Sequence, residues 1–380
     1  MRVLHVHSGN LYGGVETTLL AQAFHRDAEF KMDLSFALCF GGRFSEELAK
    51  ARAPVHFLGG PQIRKPLSVW RVRQRLRSLL ERQSIDVVIT HSCWSQAIFG
   101  PVIRSQKLPL VFWLHDTARG HHWLERMARR TSPDLVLCNS RFTSSSVSNL
   151  YSDVPCEVVY PPYTASETNG NTAPRDAIRR QFNTPSDMVV IIQVARMENW
   201  KGHETHLRAL HVLKDDPRWI CWQIGAPQRP SEARYFSRLQ SLTQKLGIAN
   251  RIHFLGHRTD VRRVMSAADV FCQPNSGPEP FGLVFIEALA ARLPVITTGI
   301  GGGREIVGEN FGFLVPPRDP TALACVLRNL IGSASLRQKF AASGPARARE
   351  LCDPSLQMRK VKDILANLIL DFKEQRRYAA

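Results

Sequence analysis

Two kinds of hydrophobic spacing alternate along the chain. Short, continuously apolar and β-branched runs occur at RVLHVHS (2–8), LSFALCF (34–40), VHFLG (55–59), IDVVITHS (85–92), PLVFWLHD (109–116), DLVLCNS (134–140) and EVVYPP (157–162). They resume at MVVIIQVAR (188–196), ICWQIGA (220–226), RIHFLG (251–256), DVFCQP (269–274), LPVITTG (293–299) and GFLV (312–315). Runs with so little polar alternation are buried on both faces, as central strands of a parallel sheet are. Most segments between them carry a helical stripe instead. SVWRVRQRLRSLLERQ (68–83), for example, sets Val69, Val72, Leu76, Leu79 and Leu80 on one face. Strand and helix in such alternation predict an α/β protein with doubly wound parallel sheets.

The alternation breaks once, at YPPYTASETNGNTAPRD (160–176), which is rich in turn formers and has no periodicity. We read it as a linker between two Rossmann-like domains, residues 1–165 and 166–355. The closing segment LQMRKVKDILANLILDFKEQRR reads as a helix with Val361, Ile364, Leu365, Leu368, Ile369 and Phe372 on its apolar side. Residues 356–380 are expected to pack back toward the N-terminal domain. Open α/β sheets bind ligands beyond the C-terminal ends of their strands, so two facing sheets would enclose an interdomain cleft.

A chain of 380 residues, 44% hydrophobic and 22% charged, suits two soluble domains. No apolar stretch has the length of a membrane span, and MRVLHVHSGN does not read as a secretory signal. The expected location is cytoplasmic, peripheral on the inner face of a membrane. The eight cysteines are scattered without a CxxC, the usage of small buried hydrophobes in a reducing compartment. Net charge is unusual at +17. Between Gly60 and Arg130, 13 Lys and Arg stand against 4 Asp and Glu, so the charge is clustered. Nucleic acid, an anionic membrane or a phosphorylated small molecule could each account for it.

The polar residues that follow strands carry the candidate chemistry. Gly13 and Gly14 open a helix, where they serve either as a plain turn or as a close approach of backbone amides to an anion. Glu16 in the first helical turn suits the macrodipole without any further role. His115 and Asp116 end a buried run, as a local cap or as ligand contacts. Arg196 follows another strand, and Lys201 and Gly202 open the next helix, a good diphosphate receptor or two solvated cations. HETH (203–206) is one residue short of HExxH, and no metal site is expected. ITTGIGGGREIVG imitates a dinucleotide fingerprint but has Arg304 where the third glycine belongs. Glu279 and Glu287, eight positions apart, bracket an apolar run.

Taken in order, GGVE (13–16), HD (115–116), ARMENWKG (195–202), the run 254–307 and GFLVPPRDPTALA (312–324) resemble the retaining, nucleotide-sugar-dependent glycosyltransferases of family 4, with the GT-B fold. The resemblance covers nearly the whole chain. It implies that Arg196 and Lys201 hold the donor diphosphate, with backbone approach at Gly13 and Gly14. It implies that Glu279 contacts the transferred sugar, that amides at Phe281, Gly282 and Leu283 lie near sugar and phosphate, and that Glu287 binds the ribose. His115 would lie against the donor sugar, and the base would be read near Gly256. His115, Arg196, Lys201 and Glu279 are then the catalytic candidates. Two departures are mild: Glu-Pro-Phe-Gly replaces Glu-Gly-Phe-Gly, and MENWKG stands where Pro-Glu-Lys-Gly is usual.

The implied activity is transfer of a sugar from a UDP- or GDP-sugar to an acceptor hydroxyl with retention, in cell-surface polysaccharide, lipopolysaccharide or glycolipid synthesis. No cofactor or metal is implied. Fixed cations and helix amides at the diphosphate stabilise charge where it develops, so no bound metal is required, and the place of Glu279 in a donor-binding motif argues against a covalent role. Arg64, Lys65, Arg71, Arg75, Arg119, Arg126, Arg129 and Arg130 form the acceptor or membrane side, facing a lipid-linked acceptor or an anionic surface. A solvated face on core helices is the plainer alternative. Rival functions are a GT-B sugar phosphorylase, a nucleotide-sugar epimerase, or a basic nucleic-acid-binding protein; nucleic acid is not an expected partner.

Overall fold

The computed structural model describes residues 1–9, 12–26, 30–164, 174–308 and 310–378. The chain divides into two compact units, Met1–Thr164 with Cys352–Ala380, and Ala165–Leu351. Most of the linker read from the sequence, residues 165–173, lies outside the described residues, and its last two positions already belong to a helix that starts at Arg175.

The first unit holds strands β1 (Arg2–His7), β2 (Asp33–Leu38), β3 (Val55–Phe57), β4 (Val87–His91), β5 (Leu110–Leu114), β6 (Leu135–Cys138) and β7 (Cys156–Val158). The second holds β8 (Val189–Val194), β9 (Trp219–Ile224), β10 (Ile252–Gly256), β11 (Val270–Gln273), β12 (Val295–Thr298) and β13 (Gly312–Val315). Each continuous apolar run in the sequence overlaps one of these strands. Between the strands of the first unit run α1 (Gly14–Phe24), α2 (Arg43–Lys50), α3 (Pro66–Arg82), α4 (Ser92–Ser105), α5 (Trp123–Arg129) and α6 (Arg141–Ser144). Then come α7 (Arg175–Gln181), α8 (His203–Val212), α9 (Pro230–Lys245), α10 (Val261–Met265), α11 (Leu283–Ala290), α12 (Gly303–Val307), α13 (Pro320–Gly332), α14 (Ala334–Cys352) and α15 (Pro354–Tyr378).

Both sheets are parallel, in the orders β3-β2-β1-β4-β5-β6-β7 and β10-β9-β8-β11-β12-β13. Each therefore winds outward from a central strand in two directions, with its switch point between β1 and β4 or between β8 and β11. Period-two alternation sorts the first sheet's side chains. Val3, Phe36, Ile89, Val111 and Trp113 face a layer containing Leu19 and Leu20 of α1 and Met358, Val361, Leu365 and Ile369 of α15. Leu4, Val6 and Val88 face the other way, onto Val72, Leu76, Leu79 and Leu80 of α3 and Ile98, Phe99, Val102 and Ile103 of α4. Helix α15 thus belongs to the core of the first unit although it follows the whole of the second. In the second unit Val189, Ile191 and Val270 pack with Leu207 and Leu210 of α8 and Leu323, Leu327 and Leu330 of α13.

Five of the eight cysteines are buried and all are free. Two that are far apart in sequence are neighbours in space: Cys138 and Cys156, on adjacent strands, have sulfurs 3.5 Å apart. Among the described residues no helix is long and apolar enough to cross a membrane.

Candidate active site

The second unit gathers its candidate residues at the β8/β11 switch point. Beyond β8 the chain runs through Arg196 into a single 3-10 turn, Asn199–Lys201, and Gly202 then starts α8. Gly202 is required twice over. Its φ is 76°, and a Cβ there would stand 1.8 Å from the Pro274 carbonyl oxygen. That close approach brings Lys201 against the loop after β11. The Lys201 Nζ donates to Glu279 Oε2 at 2.6 Å and sits 3.8 Å from the centre of the Trp200 ring. Both members of the ion pair are nearly dry, at 11% and 13% side-chain exposure. Around them lies a buried polar scaffold. Asn275 Nδ2 donates to the same Glu279 oxygen at 3.1 Å, and Gln273 Nε2 donates to Asn275 Oδ1. Thr298 holds the Asn275 carbonyl, and Gln193 holds the Lys201 carbonyl while pairing with His206. Arg196 is exposed and carries a contact to Glu198 at 3.0 Å.

The glycine run that imitates a dinucleotide fingerprint has a different use. Gly301 pairs with Glu279 as an isolated parallel bridge, and the Gly302 amide donates to the Glu279 carbonyl at 2.7 Å. A Cβ on Gly301 would meet Glu279 backbone at 2.4 Å, and one on Gly302 would meet the Pro280 carbonyl at 2.5 Å. These glycines let the loop after β12 lie flat against the backbone that carries Glu279. From there Phe281 is buried, Gly282 caps α11 with φ of 100°, and Leu283 begins the helix. Glu287 lies one turn further along α11. It is not on a solvated face: desolvation pushes its carboxyl up to about 7, partly opposed by the Arg262 charge. Gly256, with φ of 66°, ends β10, and its carbonyl accepts from Gly225.

In the first unit Gly13 and Gly14 are exposed at the start of α1. Glu16 does more there than suit the macrodipole. It accepts from the Gly13 amide at 2.8 Å and faces His7 Nε2 at 3.4 Å. His115, just beyond β5, is half-buried, and its Nε2 lies 2.9 Å from Nδ1 of His91. His91 in turn meets His5 at 2.9 Å. Of the eight basic residues on the expected acceptor side, two brace the fold. Arg75 donates to the Leu58 carbonyl, and Arg129 donates to the carbonyls of Gly120 and Asn149. Arg64, Lys65, Arg71, Arg119, Arg126 and Arg130 are exposed. Beside them stand Leu67, Trp70 and Trp123, at 75%, 60% and 47% exposure.

Sequence reasoning missed Gln193, Asn275, Thr298, His206, the supporting glycines and the partners of His115. Gly301 and Gly302, directly after a strand, were the visible signal. The polar partners were not legible, because each is joined to the site by contacts between residues from different elements, such as Gln193 with Lys201 and His206, which no local spacing announces. No group of three or more His, Cys, Asp or Glu side chains among the described residues is disposed to hold a metal ion.

Known proteins match this arrangement along nearly the whole chain. Residues 12–166 match the family model described as Glycosyltransferase Family 4, and residues 174–347 match Glycosyl transferases group 1. The lipopolysaccharide core biosynthesis glycosyltransferase LpsD of Rhizobium meliloti is 26% identical over 90% of this chain and 92% of its own length. A D-inositol 3-phosphate glycosyltransferase of Xylanimonas cellulosilytica is 31% identical over 57% of this chain, and the match spans about half (53%) of that protein. The crystal structure of Anabaena Alr3699/HepE in complex with UDP and glucose superposes with a TM-score of 0.82 at 23% identity, covering 96% of this chain and 99% of that one. Two Rossmann-like parallel sheets, a Lys201–Glu279 pair at a switch point and these matches lead to one assignment: the chain belongs to the family 4 glycosyltransferases and has the GT-B fold.

Proposed function

We propose that this protein transfers a sugar from a nucleoside diphosphate sugar, UDP- or GDP-linked, to a hydroxyl of a saccharide or lipid-linked acceptor, with retention of anomeric configuration. The observation that carries the reading is the nearly dry Lys201–Glu279 pair, with the exposed Arg196 on the same connection from β8 to α8. In the ground state Lys201 neutralises Glu279. With donor bound, the ammonium and the Arg196 guanidinium face the diphosphate, and the carboxylate faces hydroxyls of the sugar. The bond from the anomeric carbon to the diphosphate breaks, and its electron pair leaves with the diphosphate. The acceptor oxygen bonds to the same carbon from the same face, and its proton passes to a diphosphate oxygen. Fixed positive charge at the leaving group stabilises the developing anion, and each such group is worth about 3 kcal/mol. Glu287, part-buried on α11, is suited to accept from ribose hydroxyls.

The names of LpsD and of the inositol phosphate enzyme support an acceptor in lipopolysaccharide or glycolipid synthesis. The UDP and glucose in the Anabaena complex support a nucleotide-sugar donor. Exposed Leu67 and Trp70 one turn apart on α3, flanked by Arg64, Lys65 and Arg71, support docking on an anionic membrane. Calorimetry against a panel of UDP- and GDP-sugars, followed by assay of nucleoside diphosphate release with an acceptor extract, tests the reading. Binding of one nucleotide class and acceptor-dependent release are expected. No binding to any nucleotide sugar refutes it, and acceptor-independent interconversion of the bound sugar would favour an epimerase.

A further inference from the structure

Beneath the α1/α15 face of the first sheet, three imidazoles join end to end. His5 Nδ1 lies 2.9 Å from His91 Nε2, and His91 Nδ1 lies 2.9 Å from His115 Nε2. They come from three adjacent strands, β1, β4 and β5 with its first following residue. Their rings are nearly parallel, tilted by 17° and 21° at successive steps. Phe36 stacks on the far side of His5, and Trp113 stacks with both His91 and His115. Burial holds the row neutral at physiological pH: His5 and His115 fall to about 3, and His91 falls well below its ordinary value.

A neutral imidazole carries one ring proton, so a row of three can be polarised in only two ways. Either every ring donates from Nδ1, or every ring donates from Nε2. The buried end decides between them, because His5 Nε2 has no hydrogen-bond partner among the described residues. Donation from Nε2 throughout would leave an N–H orphaned in the core. Donation from Nδ1 leaves a bare acceptor there, and under-satisfied acceptors are the better tolerated of the two. His7 supplies a contrast on the same strand. Its Nδ1 accepts from the Gly9 amide at 3.0 Å, so its proton is on Nε2, toward Glu16.

We propose that His5 and His91 are positioning residues that lock the ring of His115 as the Nδ1–H tautomer, making it a neutral hydrogen-bond donor to a ligand oxygen at the C-terminal end of β5. The half-buried His115 has no other hydrogen bond to Nδ1 among the described residues, so this N–H is the one left for a ligand. His115 is then neither base nor cation in the reaction. This role rests on the proposed transferase function, but the tautomer itself does not.

Two-bond proton–nitrogen correlation on protein labelled with 15N in its histidine rings reads the tautomers directly at neutral pH. Nδ1–H at His5, His91 and His115 with Nε2–H at His7 is expected, and Nε2–H at His115 overturns the proposal. Kinetics then test the consequence with two variants. His91→Gln keeps a neutral bridge that can accept from His5 and donate to His115, whereas His91→Phe keeps ring volume but no bridge. Turnover is expected to fall about tenfold or more in the Phe variant, with nucleoside diphosphate affinity unchanged, and to recover to within a few-fold in the Gln variant. Wild-type turnover in His91→Phe removes the positioning role. A wild-type protein with no transferase activity but the expected tautomers sinks the proposed function and leaves the ladder standing.

Discussion

Glu279 and Glu287 share one motif but differ in electrostatic character. Glu279 is neutralised by Lys201 at 2.6 Å and steadied by Asn275. Truncating it to alanine strands a nearly buried ammonium, and we expect a stability loss of about 3 kcal/mol. Glu279→Gln keeps the shape and an acceptor for Asn275, so it should melt nearer the wild type while turnover falls about a hundredfold. Thermal melts beside nucleotide-release assays separate the two effects. For Glu287 the sign of the proton linkage is opposite to that of a paired acid. Its folded value is raised from 4.5 to about 7, so the native state holds a proton that the unfolded state has released. Stability is therefore lost as pH rises through that window, by at most about 1.4 kcal/mol per pH unit. Glu287→Gln should flatten that part of the profile in denaturant titrations. The pair was visible in the sequence because its spacing is local. The His5–His91 contact spans 86 positions and has no local signature.

At the scale of elements, the strands were legible because the central ones are buried on both faces and run almost continuously apolar. The short connectors were not. The 3-10 turn at Asn199–Lys201 and the approach of Gly202 to Pro274 depend on a carbonyl more than seventy residues away. Gly202→Ala meets both an unfavourable φ and a steric overlap with backbone. A loss of about 2 kcal/mol or more is expected, with nucleotide affinity lowered because Lys201 and Glu279 no longer register. Helix α3 makes the complementary case. Its buried stripe was read correctly, but helical spacing said nothing about Leu67 and Trp70 at its open end. Replacing both by serine should leave the melting temperature within a degree or two and abolish co-sedimentation with anionic vesicles at low salt. Equal sedimentation of variant and wild type would dismiss α3 as the docking element.

The whole molecule should be acid-labile. Unfolded, each histidine takes up a proton near 6.5. Folded, His5, His115, His203 and His206 do so only near 3, and His7 only near 4. The unfolded chain binds more protons across that interval, so the contribution of these rings is full above about pH 6.5 and falls as pH drops, outweighing the opposing Glu287. Melting temperatures at about pH 7.5 and pH 5.5 should differ by many degrees, and equal values would contradict the buried neutral state of these rings. The other global property is the path of the chain. Helix α15 supplies Met358, Val361, Leu365 and Ile369 to the same core as Leu19 and Leu20 of α1. On the ribosome, the second unit has every residue it needs before the first does. The earlier-made sheet has one face covered only in part, by α1 and α2, until residues beyond 357 emerge. Nascent first-unit chains are therefore natural clients for a holding chaperone, and stalled chains ending near Leu351 should aggregate through that face even though their second unit is folded.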